Sequence, residues 1–347
     1  MKSEKILHLN NVANVAATFV EELNKLPNLK REGLSAVLMN LTKKPNSGII
    51  KKYWLFFLPL FRLYDYLKLI KYLSSVKTRI LHLHYALHSY MLIGIKKTIY
   101  IHVHGSDIRD ISNTKILYKI AKSGLKRATK VFYTTPDLYQ YLKDIRPDAI
   151  YLPNPIKQWF FDANIKQKNE FPKLDILCIN KIDKHKGVRV CLNAIDSVWK
   201  QIPELKVGIF NFGNAMYLSE DFFKKHRENK NLFLIEKLPY EKMPHLINSA
   251  KIILGQMELG VLGCSELEAM ASGKAVVSKF EYFNAYPEVP PLANAKNQEE
   301  AANKILKLLQ DKQLIRDVGK SSREWALKYH SVDKIINKLL YYYLQDI

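Results

Sequence analysis

Two successive series of alternating strand-like and helix-like segments constrain the fold of this 347-residue chain more than any other feature. Short runs of branched and aromatic residues alternate with segments of helical periodicity, which is typical of βαβ units and parallel sheets. The first series predicts strands near Ile6–Leu9, Ser35–Leu41, Ile80–His84, Ile99–His104, Lys130–Thr134 and Ala149–Leu152. The second predicts strands near Leu174–Ile179, Lys206–Phe212, Leu232–Ile235, Lys251–Leu254 and Ala275–Ser278. Two doubly wound α/β domains are therefore expected.

A proline-marked stretch separates the two series. Residues 153–172 contain Pro153, Pro155 and Pro172, which are turn and loop signals. We therefore expect a first domain at 1–152, a linker at 153–172 and a second domain at 173–329. The tail from about Gln298 to Gln345 has a helical pattern.

The charge of the chain is high and uneven. The formal net charge is +21, and residues 1–170 carry 28 Lys and Arg against 12 Asp and Glu. An excess of this kind in the first half indicates an anionic partner, which is a nucleic acid, an anionic membrane or a phosphate-bearing ligand.

Three further features of the sequence indicate the cellular compartment of the protein. The cysteines, Cys178, Cys191 and Cys264, show no pairwise framework, which favours a reducing compartment. The N-terminus lacks the apolar stretch of a signal peptide. No segment approaches the ~20 apolar residues that a spanning helix needs. We expect a cytoplasmic protein.

The segment Lys51–Tyr72 combines Lys and Arg with Trp, Tyr, Phe and aliphatic residues. Such a mixture favours adsorption to an anionic bilayer surface. The alternative is an ordinary core helix, predicted near Tyr64–Ser74, with a fringe of lysines whose stems pack on apolar surface. The charge of the first half favours the membrane.

A glycine-bearing loop lies between two predicted elements of the second half, at 260–265. Gly260 and Gly263 permit close backbone approach, and the helix predicted from Ser265 to Ala271, just after Cys264, directs its N-terminal N–H groups towards an anion. The loop is therefore a candidate diphosphate site. As an alternative, Ser265 and Glu268 have the spacing of a capping box, in which the glutamate only satisfies backbone donors.

The segment from Gly260 to Val277 resembles the donor-site signature of the retaining GT-B glycosyltransferases, E-x-F-G-x-x-x-x-E-A-M-A-x-G-x-P-V-V. Gly263 and the run Glu268-Ala-Met-Ala-Ser-Gly273 match it. The resemblance implies that Glu268 holds the donor ribose. Gly260 stands where the family has its first glutamate, so Glu258 or Glu266 is expected to contact the transferred sugar instead.

The segment Ile179–Gly187 resembles the family's G-R-L-x-x-x-K-G, with Asn180 for Gly and Lys181 for Arg. The resemblance implies that Lys181 and Lys186 stabilise the leaving diphosphate, as fixed cations can. Gly213 is assigned to the same donor site. The alternative for either lysine alone is a solvated loop position.

The segment His104-Gly-Ser-Asp107-Ile-Arg109 ends a predicted strand, where ligands of parallel sheets bind. It resembles the family's H-G-x-D, which implies that His104 lies beside the anomeric carbon of the donor sugar. Asp107 and Arg109 are expected on the acceptor side. Together with His82, His84 and His102, His104 also suggests a metal site, but no carboxylate cluster with ligand spacing accompanies them. No metal is expected, and His102 is expected in the core.

The first loop also belongs to the predicted acceptor side. Asn10, Asn11 and Asn14 stand where many relatives have a glycine pair, and the absence of a Gly-rich dinucleotide fingerprint argues against NAD. The segment Pro153-Asn154-Pro155 resembles the family's interdomain motif. The closing residues resemble its C-terminal crossover onto the first domain and include Arg323, Trp325, Tyr329, His330 and Ser331.

The resemblance implies a GT-B fold, in which two Rossmann-like domains face a central cleft and a helix at about 330–347 returns to the first. It implies a retaining glycosyltransferase, without a metal or cofactor, that moves a sugar from a nucleotide-diphospho-sugar to a lipid-linked or cell-envelope glycan. We expect it at the inner face of the membrane, in polysaccharide or glycolipid biosynthesis. The alternatives are a GT-B-fold epimerase or phosphorylase, and a non-catalytic nucleic-acid-binding protein. The phosphate-site motifs lie in the less basic half, which argues against nucleic acid.

Overall fold

The parallel sheets predicted from the sequence are present, one in each half of the chain. The computed structural model describes residues 4–45, 48–111, 114–162 and 170–347. The chain divides into two units, Met1–Pro155 with Val332–Ile347, and Ile156–Ser331. Residues 163–169 of the predicted linker 153–172 lie outside the described residues. The predicted α/β class is confirmed.

The sheet of the first unit has six strands in the order β2-β1-β3-β4-β5-β6, and all neighbours are parallel. They are β1 (Glu4–Leu9), β2 (Leu34–Met39), β3 (Thr78–His84), β4 (Thr98–Val103), β5 (Lys130–Tyr133) and β6 (Ile150–Tyr151). The helices are α1 (Val15–Leu23), α2 (Pro27–Arg31), α3 (Gly48–Lys52), α4 (Trp54–Ser75), α5 (Lys115–Arg127) and α6 (Tyr139–Leu142). The chain order reverses between β1 and β3, so the loops after these strands form a switch point where α/β sheets bind ligands.

Helix α4 differs from its prediction. It starts ten residues earlier than Tyr64 and continues through Pro59. Its fully buried residues are Asp65 and Leu69, and Tyr66, Tyr72 and Leu73 are partly buried against the same core, so one face of the helix packs inwards. No helix in the described part of the chain has both the length and the hydrophobicity that crossing a bilayer requires.

The last helix of the chain, α13 (Val332–Gln345), packs in the first unit. Its apolar residues recur at helical spacing and are buried against Phe19 of α1 and Tyr100 of β4. The helix therefore completes one hydrophobic core of this unit, with a buried face formed by Val332, Ile335, Ile336, Leu339, Leu340 and Tyr343.

The sheet of the second unit also has six parallel strands, in the order β12-β11-β10-β7-β8-β9. They are β7 (Leu174–Cys178), β8 (Val207–Phe210), β9 (Leu232–Ile235), β10 (Ala250–Leu254), β11 (Ala275–Ser278) and β12 (Ala293–Asn294). The helices are α7 (Val188–Trp199), α8 (Glu220–Lys225), α9 (Met243–Ser249), α10 (Cys264–Ala271), α11 (Gln298–Gln310) and α12 (Lys312–His330). The chain order reverses between β7 and β10, which adjoin at the centre of this sheet.

Candidate functional site

Both donor motifs lie in loops at the switch point of the second sheet. One loop follows β7 and includes Asn180, Lys181 and Lys186, and the other follows β10 and includes Gly260 and Gly263. The N–H of Met257 donates to the carbonyl oxygen of Lys186 at 3.0 Å, so the backbones of the two loops are joined. The sheet thus brings together residues that are about eighty positions apart in sequence.

The carboxyl group of Glu266 holds the start of α10 in place by accepting three hydrogen bonds. Its Oε1 accepts hydrogen bonds from Asn180 Nδ2 at 2.6 Å and from the Gln256 N–H at 2.9 Å. Its Oε2 accepts the Gly263 N–H at 3.0 Å, which makes Gly263 and Glu266 the N-terminal cap of the helix. The capping box of Ser265 and Glu268 that spacing suggested is therefore wrong. Glu266 is fully buried and occupied by protein donors.

Lys186 lies at the first turn of α10. Its Nζ is 3.1 Å from the point where a Cβ on Gly263 would stand, next to Cys264 and Ser265. A lysine ammonium beside the N-terminus of a helix suits an anion, and Glu266 Oε2 lies 3.0 Å from the same point. The second predicted cation, Lys181, is exposed, and its Nζ is 3.3 Å from Asp183 Oδ2.

Gly213 supports the lysine loop through its backbone. A Cβ at this position would lie 1.9 Å from the carbonyl oxygen of Ile182. The Ile182 N–H donates to the carbonyl oxygen of Phe212 at 2.9 Å, so the loops after β7 and β8 are in direct contact here. Gly213 permits this approach, because any side chain would collide with the Lys181 loop.

Glu268 is buried and accepts a hydrogen bond from Tyr240 Oη at 2.7 Å. Burial raises the pKa of Glu268 to about 8, and the neighbouring Glu266 raises it too, while the Tyr240 hydrogen bond acts in the other direction. A pKa in this range favours the protonated form of the carboxyl group at neutral pH. Sequence reasoning missed Tyr240, since it lies on a short 3₁₀ turn at 240–242 with no distinguishing spacing.

A carboxylate that sequence reasoning also missed lies beside Gly260. A Cβ on Gly260 would be 2.6 Å from Glu281 Oε2, and the Glu281 N–H donates to the Gly260 carbonyl oxygen at 2.9 Å. The Glu281 side chain is half-exposed, and its Oε1 is 3.3 Å from Lys279 Nζ. Its place three residues after the end of β11, at the ligand-binding edge of the sheet, was the available signal. Of the two predicted stand-ins, Glu258 is exposed and Glu266 is buried.

In the first unit, Asp107 holds the loop after β4 rather than facing solvent. It is fully buried, and burial raises its pKa to about 6. Arg109 donates to Asp137 Oδ2 from Nε at 3.0 Å, and its guanidinium lies over Gly105. Both predicted acceptor-side residues have protein partners, those of Asp107 being the backbone N–H groups of Ala86, His104 and Gly105 at 2.7, 3.0 and 2.8 Å.

His104 is the half-buried end of a chain of hydrogen-bonded side chains. Its Nε2 is 3.1 Å from His84 Nδ1, and His84 Nε2 is 3.0 Å from His8 Nδ1. His8 Nε2 is in turn 3.1 Å from Tyr343 Oη of α13. Burial lowers the pKa of His8 to about 3 and lowers the pKa of His84 and His104 well below the usual value, so the rings are neutral at pH 7. In a chain of neutral imidazoles, each with one donor and one acceptor, the tautomer of His104 is coupled to the tautomers of His84 and His8.

The same rings form two candidate ligand groups, His8 with His82 and His84, and His84 with His102 and His104. Their ring nitrogens lie within 4.8 Å of one another in each group. Neither group includes a carboxylate or a thiol, and the contacts of His84 with His8 and His104 already have hydrogen-bond lengths. His102 is fully buried in the core, with Nε2 3.1 Å from the Leu152 carbonyl oxygen.

Two asparagine side chains of the first loop form hydrogen bonds with backbone groups of the same unit. Asn10 Nδ2 donates to the carbonyl oxygen of His84 at 3.0 Å, and Asn11 Oδ1 accepts the Ala17 N–H at 3.2 Å. Asn10 and Asn14 have φ of 71° and 60°, in the left-handed region that asparagine tolerates. Asn14 is exposed.

The chain is similar to known glycosyltransferases in sequence or in fold. Residues 161–325 match the family model described as glycosyl transferases group 1. The chain superposes on sucrose-phosphate synthase from Thermosynechococcus elongatus with a TM-score of 0.75 at 16% identity, covering 99% of this chain and 98% of that one. It superposes on Alr3699/HepE from Anabaena, in complex with UDP-glucose, with a TM-score of 0.74 at 10% identity, covering 98% and 99%. No curated protein matches the sequence.

A third similar structure belongs to a different reaction class. It is a putative UDP-N-acetylglucosamine 2-epimerase from Listeria monocytogenes, with a TM-score of 0.60 at 11% identity, covering 97% of this chain and 94% of that one. These likenesses show the GT-B fold, and the family match over 161–325 shows that the protein is a glycosyltransferase.

Proposed function

We propose that the protein is a retaining, metal-independent glycosyltransferase that moves a sugar from a nucleotide-diphospho-sugar to a lipid-linked or cell-envelope glycan. The observation that carries the proposal is the Lys186 ammonium beside Gly263 at the first turn of α10. A diphosphate bound there would meet this cation, the N-terminus of the helix and Lys181. Family resemblance over the second unit supports the same assignment.

In the proposed reaction the bond between the anomeric carbon and the diphosphate oxygen breaks, and its electron pair leaves with the diphosphate. The acceptor hydroxyl attacks from the same face, and its proton passes to the departing phosphate oxygen. Lys186 and Lys181 stabilise the growing charge, an effect often worth about 3 kcal/mol per donor. No protein nucleophile is required, and because the two lysines supply the positive charge, no metal is invoked.

We assign roles to Glu268, Glu281 and His104 from the contacts that each side chain makes. Glu268 would exchange its bond with Tyr240 for one with the donor ribose, and Glu281 would contact the transferred sugar in place of a side chain at 260. His104, as a neutral imidazole, would donate a hydrogen bond near the anomeric centre. We assign the donor to the second domain and the acceptor to the first, with the C-terminal helix.

The proposed donor rests on similar solved structures, and the proposed location rests on the charge of the chain. Alr3699/HepE is in complex with UDP-glucose, so UDP-sugars are the first donors to test. The basic, aromatic segment 51–72 supports a cytoplasmic enzyme at the inner face of the membrane, where lipid-linked acceptors are found.

The test is a thermal-shift titration with UDP, GDP, CMP, ADP and their sugar conjugates. At about a hundred times its dissociation constant, a nucleotide should stabilise the fold by roughly 2.7 kcal/mol. Lys186→Ala should remove most of this shift, whereas Lys184→Ala, an exposed lysine of the same loop, should retain it. Equal shifts in both variants would contradict the proposed diphosphate site.

The epimerase alternative is kept because of the similar fold of the Listeria protein. Product analysis separates the two reactions. A transferase releases nucleoside diphosphate and forms a glycoside only with an acceptor, whereas an epimerase converts the nucleotide-sugar alone. The anomeric configuration of the glycoside, measured by NMR, tests retention.

A further inference from the structure

Helix α4 presents a continuous apolar stripe to solvent. Phe56, Leu60, Leu63, Leu67 and Ile70 recur at intervals of four, three, four and three residues, which places them on one face. Between 38% and 78% of each side chain is exposed. The stripe is about 21 Å long, since fourteen residues of helix rise by 1.5 Å each. An apolar surface of this length is uncommon on a water-facing helix.

The opposite face of α4 is fixed to the first unit, so the exposure is built into the fold. Asp65 is buried and accepts hydrogen bonds from the Thr42 N–H at 3.1 Å and from Arg62 Nη1 at 2.6 Å. Leu69 is fully buried in the core. Tyr66 Oη donates to the Ile93 carbonyl oxygen at 2.9 Å. These contacts orient the stripe outwards.

More apolar surface precedes the stripe. Ile49 of α3 and Leu55 at the start of α4 are 73% and 82% exposed, and Tyr53 between them is half-exposed. Tyrosine beside aliphatic residues suits the boundary between lipid headgroups and acyl chains.

The charges around the stripe are of one sign. Asp65 is the only acidic residue in the sequence from 43 to 75, and it is buried beside Arg62. Lys68 and Lys71 lie on α4 itself, one turn apart. The exposed charges of this stretch are all ammonium groups, those of Lys43, Lys44, Lys51, Lys52, Lys68 and Lys71.

We infer that α3 and α4 form the surface by which the protein docks on an anionic lipid bilayer, with the stripe among the acyl chains and the lysines at the headgroups. The positive charge around the stripe favours an anionic bilayer over a second copy of the chain. Two copies joined through the stripe would bring their lysine fringes together, whereas an anionic bilayer offers acyl chains and negative charge at one surface. The inference rests on the proposed membrane location and adds the element and mode of binding.

The test is co-sedimentation of the full chain with vesicles of phosphatidylcholine alone and with 30% phosphatidylglycerol. The wild type should bind the anionic vesicles and lose affinity as salt is raised. The double variant Phe56→Ser with Leu60→Ser should weaken binding by roughly a hundredfold, since burying each large apolar side chain is worth about tenfold. Both residues are exposed, so the fold should persist.

Matched controls come from exposed positions of the second unit. Leu234→Ser with Leu327→Ser should leave binding unchanged, because those leucines are exposed but lie outside the stripe. Lys68→Gln with Lys71→Gln should reduce the preference for anionic vesicles, and Lys304→Gln with Lys307→Gln, of the same spacing, should not.

Two outcomes would overturn the inference. One is that the double variant Phe56→Ser with Leu60→Ser binds vesicles as tightly as the wild type does. The other is a dimer in sedimentation equilibrium that the double variant dissociates, with no vesicle binding, which would make the stripe a self-association surface. The nucleotide thermal shift distinguishes these from failure of the proposed function: nucleotide binding without vesicle binding refutes only the docking surface, and vesicle binding without nucleotide binding refutes only the transferase site.

Discussion

The carboxylate of Glu281 lies over Gly260, so that a Cβ on Gly260 would stand 2.6 Å from Glu281 Oε2. The backbone of Gly260 has a φ of 67°, and its carbonyl oxygen accepts the Glu281 N–H. A side chain from the loop after β11 thus occupies the space that a side chain at 260 would need. Gly260 lies three residues before Gly263 in the loop after β10, so the carboxylate is next to the candidate donor site.

We predict that Glu281→Ala lowers donor turnover, measured as release of nucleoside diphosphate, by about a hundredfold or more, comparable to the loss of one positioned polar group. Nucleotide binding itself should change little, because the carboxylate is expected to contact the sugar. Glu258→Ala, an exposed glutamate in the neighbouring loop, is the control and should retain turnover. The opposite ranking would assign the sugar contact to Glu258.

The Glu268 pair with Tyr240 predicts a pH dependence of stability. The folded-state pKa of Glu268 is raised from 4.5 to about 8, so its contribution is complete below about 4.5 and is lost as pH rises towards 8. Relative to Glu268→Gln, the wild type should lose up to about 1.4 kcal/mol of unfolding free energy per pH unit in this window.

Urea denaturation at pH 5, 6, 7 and 8 measures this difference. Glu299→Gln, an exposed glutamate of α11, controls for the general effect of losing a charge. Parallel curves for wild type and Glu268→Gln would show that the carboxyl titrates normally in the folded protein. Tyr240→Phe should extend the dependence to higher pH, because its hydrogen bond opposes the rise in the Glu268 pKa.

Much of the fold was predictable because local pattern and tertiary packing agree. The predicted limits of the strands Leu232–Ile235 and Ala275–Ser278 match the structure. Helix α4 was predicted too short, because Pro59 suggested a break and the apolar residues suggested a core face. Neither cue reveals that the inward face is formed by Asp65 and Leu69, with Tyr66, Tyr72 and Leu73 partly buried beside them. Strand β12 was missed, since two residues carry no detectable period.

The candidate site was predictable in its loops but not in its pairings. Spacing after strands located Lys186 and Gly263, because parallel strands place their carboxyl ends at one edge. It could not show that Glu266 is used by Asn180 and two backbone donors, or that Arg109 faces Asp137. Such partners are distant in sequence and depend on how each loop folds against its neighbours.

The buried histidines of the first unit predict acid lability. The pKa of His102 is lowered by burial from 6.5 to about 3, so its contribution to stability is complete above about 6.5 and is lost as pH falls towards 3. His102→Leu should reduce the slope of unfolding free energy against pH by about 1.4 kcal/mol per unit near pH 5. Denaturant titrations between pH 7.5 and 5 measure that slope. An unchanged slope would mean that His102 takes up a proton in the folded protein.

The loop after β1 contains an alanine in the left-handed region, Ala13 with φ of 48°. This conformation costs a residue with a Cβ about 1–2 kcal/mol, whereas glycine adopts it freely and loses about 0.5–1 kcal/mol through greater freedom when unfolded. Ala13→Gly should therefore raise the unfolding free energy by about 0.5–1 kcal/mol, a shift that thermal denaturation resolves. Ala17→Gly, inside α1, is the matched control and should lower it by about 1 kcal/mol. If both substitutions destabilise equally, the loop does not hold Ala13 in the left-handed region, and the turn that the asparagines shape has another backbone conformation.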